Sequence, residues 1–145
     1  MHVRQQIREA VKDALGGIDV DAVQGTTAVF ANRSRPLAEQ DLPAIRIQTL
    51  GEETEQETLT SVKRILTLSV EALIGDQDNA WAALDDYAEE IEQRIAADAT
   101  LSNLVNLIDL ASTEIELSAD HGIRQLTLTY SIHYMTTNAA PNIAL

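Results

Sequence analysis

Ile123-Arg124-Gln125-Leu126-Thr127-Leu128-Thr129-Tyr130-Ser131-Ile132-His133-Tyr134-Met135 sets Leu126, Leu128, Tyr130, Ile132 and Tyr134 against Thr127, Thr129, Ser131 and His133. Successive side chains of an extended backbone point to opposite faces, so a period of two predicts a strand with one buried side. The same pattern fills residues 62–74, where Leu66, Leu68, Val70 and Ala72 alternate with Thr67, Ser69 and Glu71. Two long strands with one apolar face each demand a sheet, and something to cover it.

Working outward, Ile45 and Ile47 alternate with Arg46 and Gln48 over residues 44–50, giving a third strand. The charge of Gly51-Glu52-Glu53-Thr54-Glu55-Gln56-Glu57 then predicts an exposed turn. The two strands flanking that run form a hairpin with the acidic loop at its tip. Residues 26–31 read as a short strand, followed by Asn32-Arg33-Ser34-Arg35-Pro36, whose proline breaks regular structure. Thr113, Ile115 and Leu117 alternate with Glu114 and Glu116 in a strand over residues 108–117, residues 101–107 are ambiguous, and residues 118–122 form a turn.

The cover comes from two segments with helical spacing. Val3, Ile7, Val11 and Leu15 lie four apart with charges between them, and Gly16-Gly17 ends that helix. Asp76 to Asn79 supply capping oxygens to a second helix, in which Trp81, Leu84, Ala88, Ile91 and Ile95 recur at spacings of three and four as core. The order is helix, three strands, helix, two strands. Short connections favour antiparallel pairing, so the expectation is an α+β fold: one antiparallel or mixed sheet of about five strands with two helices on one face. A single domain spans residues 1–137, and residues 138–145 form an extended C-terminal tail. The Thr- and Ser-rich opposite face is either solvated or meets a neighbour.

Composition removes several functions. Twenty-three Asp and Glu against 10 Lys and Arg give a net charge of -13, which repels phosphate backbones and anionic lipid. Aromatic residues are 3% of the chain, too few to offer stacking platforms for bases. Without cysteine there is no disulfide or thiolate metal site. The N-terminal residues lack the apolar run of a signal peptide, and no stretch approaches the roughly 20 apolar residues that cross a bilayer, so a soluble protein is expected. Neither nucleic acid nor membrane is an expected partner.

Candidate chemistry is sparse. His2 falls at a terminus, His121 in a turn and His133 on a polar strand face, and their spacing fits no zinc motif. No catalytic, cofactor or metal residue is assigned, and an enzyme is not expected. Glu52, Glu53, Glu55 and Glu57 are the densest acidic group; they lack the EF-hand spacing and are either a solvated loop or a docking element. Arg33 and Arg35 either dock on an acidic partner or sit in a solvated loop.

Four phrases carry a resemblance: Val3-Arg4-Gln5-Gln6-Ile7-Arg8-Glu9-Ala10-Val11, Val29-Phe30-Ala31-Asn32-Arg33 leading to Leu42-Pro43-Ala44-Ile45, residues 64–72, and residues 126–134. In this order and at this length the chain resembles the tail terminator (gpU-like minor tail protein) family of siphophages. The resemblance implies a virion tail protein, assembled in the host bacterial cytoplasm, that forms a homo-oligomeric ring, a hexamer, with no cofactor. Its implied partners are the tail tube protein and head-tail connector proteins, its implied role to end tail elongation and offer a head-attachment surface. Another neck or tail completion protein is the nearest alternative; a small-ligand binding domain or an unrecognised hydrolase stands further off.

Overall fold

The computed structural model describes residues 1–31, 36–118 and 122–145; Arg33, Arg35 and His121 lie outside them. Two helices, α1 (Val3–Leu15) and α2 (Ala80–Ala97), pack on one face of a five-stranded sheet. Its strands are β1 (Ala28–Ala31), β2 (Ala44–Gln56), β3 (Ser61–Gly75), β4 (Leu107–Ser118) and β5 (Ile123–Thr137), in spatial order β1-β2-β3-β5-β4. The α+β class, the element order and the coverage of one face agree with the alternation and helical spacing. The sheet is mixed: β1 runs parallel to β2, and the other pairs are antiparallel.

The core lies between helices and sheet. Val3, Ile7, Val11 and Leu15 are buried beneath α1, as their spacing requires, and Ile91 of α2 belongs to the same cluster as Leu66, Val70, Leu128 and Ile132. Each such side chain contributes roughly 1.5–3 kcal/mol through removal from water. Trp81 is a correction: it is 52% exposed. The buried stripe of α2 runs through Ala80, Leu84, Tyr87, Ile91 and Ile95, and Trp81 sits one step, about 100°, round the helix from Ala80. Tyr87 takes the aromatic place in the core, its hydroxyl 2.7 Å from Thr27 Oγ1.

Capping also differs from expectation. Asn79 precedes α2 in a left-handed conformation, φ +65°, and its side chain makes no capping bond. The ambiguous stretch after α2 is a tight turn in which Leu101, Ser102 and Asn103 all have positive φ. Such a conformation costs about 1–2 kcal/mol per residue. The Asp98 carboxylate accepts the Ser102 N–H at 2.8 Å, and the turn buries Leu101 and Val105, which offsets that cost.

The other sheet face is partly covered from within: Leu37 and Leu42 pack on Ala44, Leu73 and Ile123. There Glu71 is 7% exposed and accepts Arg46 Nε at 2.6 Å. Residues 138–145 return to the body, Val3 N–H donating to Pro141 O at 3.1 Å and Leu145 N–H to Met135 O at 2.9 Å.

Candidate assembly surfaces

The acidic run is not the turn its charge suggested. Residues through Gln56 belong to β2, and the turn proper is residues 57–60. The cause is partner geometry: β3 pairs with β5 along its whole length, so a long β2 also finds a ladder to extend on. A register shift between Thr49 and Gly51 inserts Leu50 as a bulge. Because side chains alternate strictly, one extra residue exchanges the two faces beyond it. Glu52, which simple alternation from Ile45 and Ile47 would turn outward, instead pairs across from Leu66 on the helix-covered face.

Glu52 therefore sits inside, its side chain 8% exposed. One oxygen accepts from Arg4 Nη1 at 2.7 Å and Arg64 Nη1 at 3.0 Å, and the other from the Tyr134 hydroxyl. Arg64 Nε in turn donates to Thr136 Oγ1 at 3.0 Å. Burial by itself would raise the Glu52 pKa, but the bonds from Tyr134, Arg64 and Arg4 outweigh it and hold the carboxyl below its ordinary value. Tyr134 is pushed well up by burial and by its bond to Glu52. This cluster ties α1, β2, β3 and β5 together at the root of the hairpin.

Beyond the root, Glu53, Glu55 and Glu57 are exposed. The turn is closed by Glu57 N–H donating to Ser61 O at 3.0 Å and by a 2.7 Å contact between Thr58 Oγ1 and Ser61 Oγ. Asn138 braces it from outside, its N–H donating to Thr60 O at 2.9 Å and its Nδ2 to Leu59 O at 3.3 Å. The result holds Leu59 out at the tip, 96% exposed. Leu59 was not among the sequence candidates; its only signal is an isolated leucine between Thr58 and Thr60 in a polar turn.

His2 is not a loose end: its Nδ1 accepts the Arg4 N–H at 3.1 Å as the N-cap of α1. Burial, then the charge of Arg4, lowers its pKa. Among the described residues no group of three or more His, Asp and Glu side chains is placed to hold a metal ion. A concavity of about 490 Å³ is bordered by Val23, Gln24, Pro43 and Gln77, groups without acid-base reactivity near neutral pH. No described helix is long and apolar enough to cross a membrane.

The family model of phage minor tail protein U matches residues 2–134. No curated protein matches the chain. Among solved structures, a chain of the "Virion of native gene transfer agent (GTA) particle" aligns with a TM-score of 0.43 at 12% identity, over 91% of this chain and 90% of that one.

Proposed function

The chain belongs to the phage minor tail protein U family and is a structural protein of a phage tail; from that premise we propose that it caps the tail tube as a ring of identical subunits, a hexamer. The ring ends tail elongation and then presents a surface to which head-tail connector proteins attach. Its work is done by surfaces, and no catalytic residue is invoked.

The observation that carries the proposal is the braced β2–β3 hairpin. A protein whose task is to fit the end of a tube needs an element that reaches past its own body and holds its shape. Here a buried charge cluster fixes the hairpin root, Asn138 fixes its turn, and Leu59 is left bare with Glu53, Glu55 and Glu57 alongside. Held out by a fixed turn, Leu59 is available for a partner to bury, with a gain of roughly 1.5–3 kcal/mol. The tail tube protein is that partner, with the three carboxylates steering approach and fixing register. A net charge of -13 also lets DNA pass the ring without adhering.

The test uses purified protein and tube protein. Negative-stain images should show six-fold rings seated on tube ends, and tubes so capped should stop growing when more tube protein is added. Continued growth at the same rate contradicts the proposal.

A further inference from the structure

Strand β4 (Leu107–Ser118) ends one side of the sheet and pairs only with β5, so among the described residues its outer backbone edge has no strand neighbour. Edge strands are commonly closed to newcomers by proline, by lysine or by being short. These 12 residues contain neither proline nor lysine.

The two faces of β4 differ in chemistry. Directly paired residues of neighbouring strands point to the same side, and Ile108, Leu110, Thr113 and Ile115 pair with Ile132, Tyr130, Leu128 and Leu126, which are buried beneath the helices. A bulge at Ala111 makes this so: without the extra residue, Ser112 and Glu114 would take the places of Thr113 and Ile115. Helix α2 packs on β3 and β5, and Leu110 and Ile115 are left 37% and 40% exposed. A groove of about 330 Å³ opens between Ile108 and Leu110 on β4 and Glu92, Ile95 and Ala96 on α2. The opposite face of β4 carries Asp109, Glu114 and Glu116, all exposed.

We propose that β4 receives a further strand from a different protein, an extended segment in which apolar and basic residues alternate. Its backbone continues the ladder, its apolar side chains fall beside Leu110, Ile115 and the α2 groove, and its basic ones fall on the other face beside Asp109, Glu114 and Glu116. Main-chain bonds then supply affinity, and alternate side chains select the sequence. Cross-strand neighbours lie roughly 4.5–5.5 Å apart, close enough for opposite charges to attract and like charges to repel. That repulsion disfavours a second copy meeting edge to edge, because the other open edge, β2 beyond residue 47, carries the exposed Glu53 and Glu55. Residues 138–145 hold no basic residue to offer either. The contact is independent of tube capping, which uses the β2–β3 hairpin.

Peptides test it on the wild-type chain. A fluorescent synthetic peptide of about eight residues, alternating valine and lysine, should bind by anisotropy. Protection from hydrogen exchange should centre on residues 107–116. Binding at least roughly tenfold weaker is expected of a peptide of the same composition with its lysines in one block, of one with glutamate for lysine, and of one N-methylated at the amides that face β4. Glu114→Lys with Glu116→Lys, both at exposed positions, should melt as wild type does, lose the lysine peptide and gain the glutamate one. Absence of binding by the alternating peptide overturns the proposal. Equal binding of block and alternating peptides, or protection centred elsewhere, reduces β4 to an acidic patch and overturns strand addition. Protection of residues 107–116 in the protein alone, rising with its concentration, puts a second copy on the edge and overturns the choice of partner.

Discussion

The Tyr134 hydroxyl donates a hydrogen bond to Glu52 Oε1 across 82 positions of sequence, from β5 past the middle strand β3 to the hairpin strand β2. It turns one carboxylate of an acidic run into a structural anchor, and sets the buried Glu52 apart from the exposed Glu53, Glu55 and Glu57.

Glu52→Gln should lower stability at pH 7 by about 3 kcal/mol, the lower end for breaking a buried ion pair because Arg4 still reaches water. Glu52 has a folded pKa below its ordinary value of 4.5. The unfolded chain therefore takes up the proton first, and the stabilisation is present above pH 4.5 and lost as pH falls through the folded pKa. Urea melts from pH 7 downward should show the gap between wild type and variant closing in acid. A gap that stays constant across that range contradicts the assignment.

Ile91→Asp should prevent soluble folding, because it sets an unpaired carboxylate at a position 0% exposed, costing several kcal/mol of a total of roughly 5–15. Glu90→Ala, which removes only a half-exposed pair with Arg94 at 3.5 Å, should change the melting temperature very little. Equal tolerance of the two in a thermal melt would show the helix face to be wrong.

At the hairpin, two variants separate charge from contact. Replacing Glu53, Glu55 and Glu57 together with Gln should leave the melt unchanged, weaken tube capping at low salt and flatten its salt dependence. Leu59→Ser should also fold normally but weaken capping by roughly thirtyfold at any salt, about 2 kcal/mol for one leucine left in water. Normal capping by the charge variant at physiological salt would leave those carboxylates as solvated surface.

His2→Ala should cost about 1 kcal/mol, the usual effect of losing an N-cap acceptor, without loss of assembly. The folded pKa of His2 lies below 6.5, because burial and then the charge of Arg4 oppose its protonation, and the neutral ring is the form that accepts at Nδ1. Its contribution is thus present above pH 6.5 and fades as pH falls through the folded value. Melts of both proteins between pH 8 and about 5 read this directly; a gap that widens in acid would reverse the account.

What the sequence made legible were features written locally. Leu126 to Tyr134 alternate because β5 is buried on one side only, and Val3 to Leu15 repeat every four because one stripe of α1 meets the sheet. Glu52 was misread because a bulge at Leu50 has no residue code of its own; the face exchange appears only once β2 and β3 are paired. Trp81 was misread because two neighbouring helical stripes shared the same spacing, and small Ala80 and Ala83, not the large ring, mark the closer approach. Leu59 lay outside the reading because exposure at a turn depends on Asn138, 79 residues away.

Tail length in particles made without this protein is the most direct measure of the central claim. Electron microscopy of a phage lacking it should show tails of abnormal, widely spread length and heads left unattached, with uniform length and joining restored by the wild-type protein. Tails of normal length carrying heads in its absence would contradict the account.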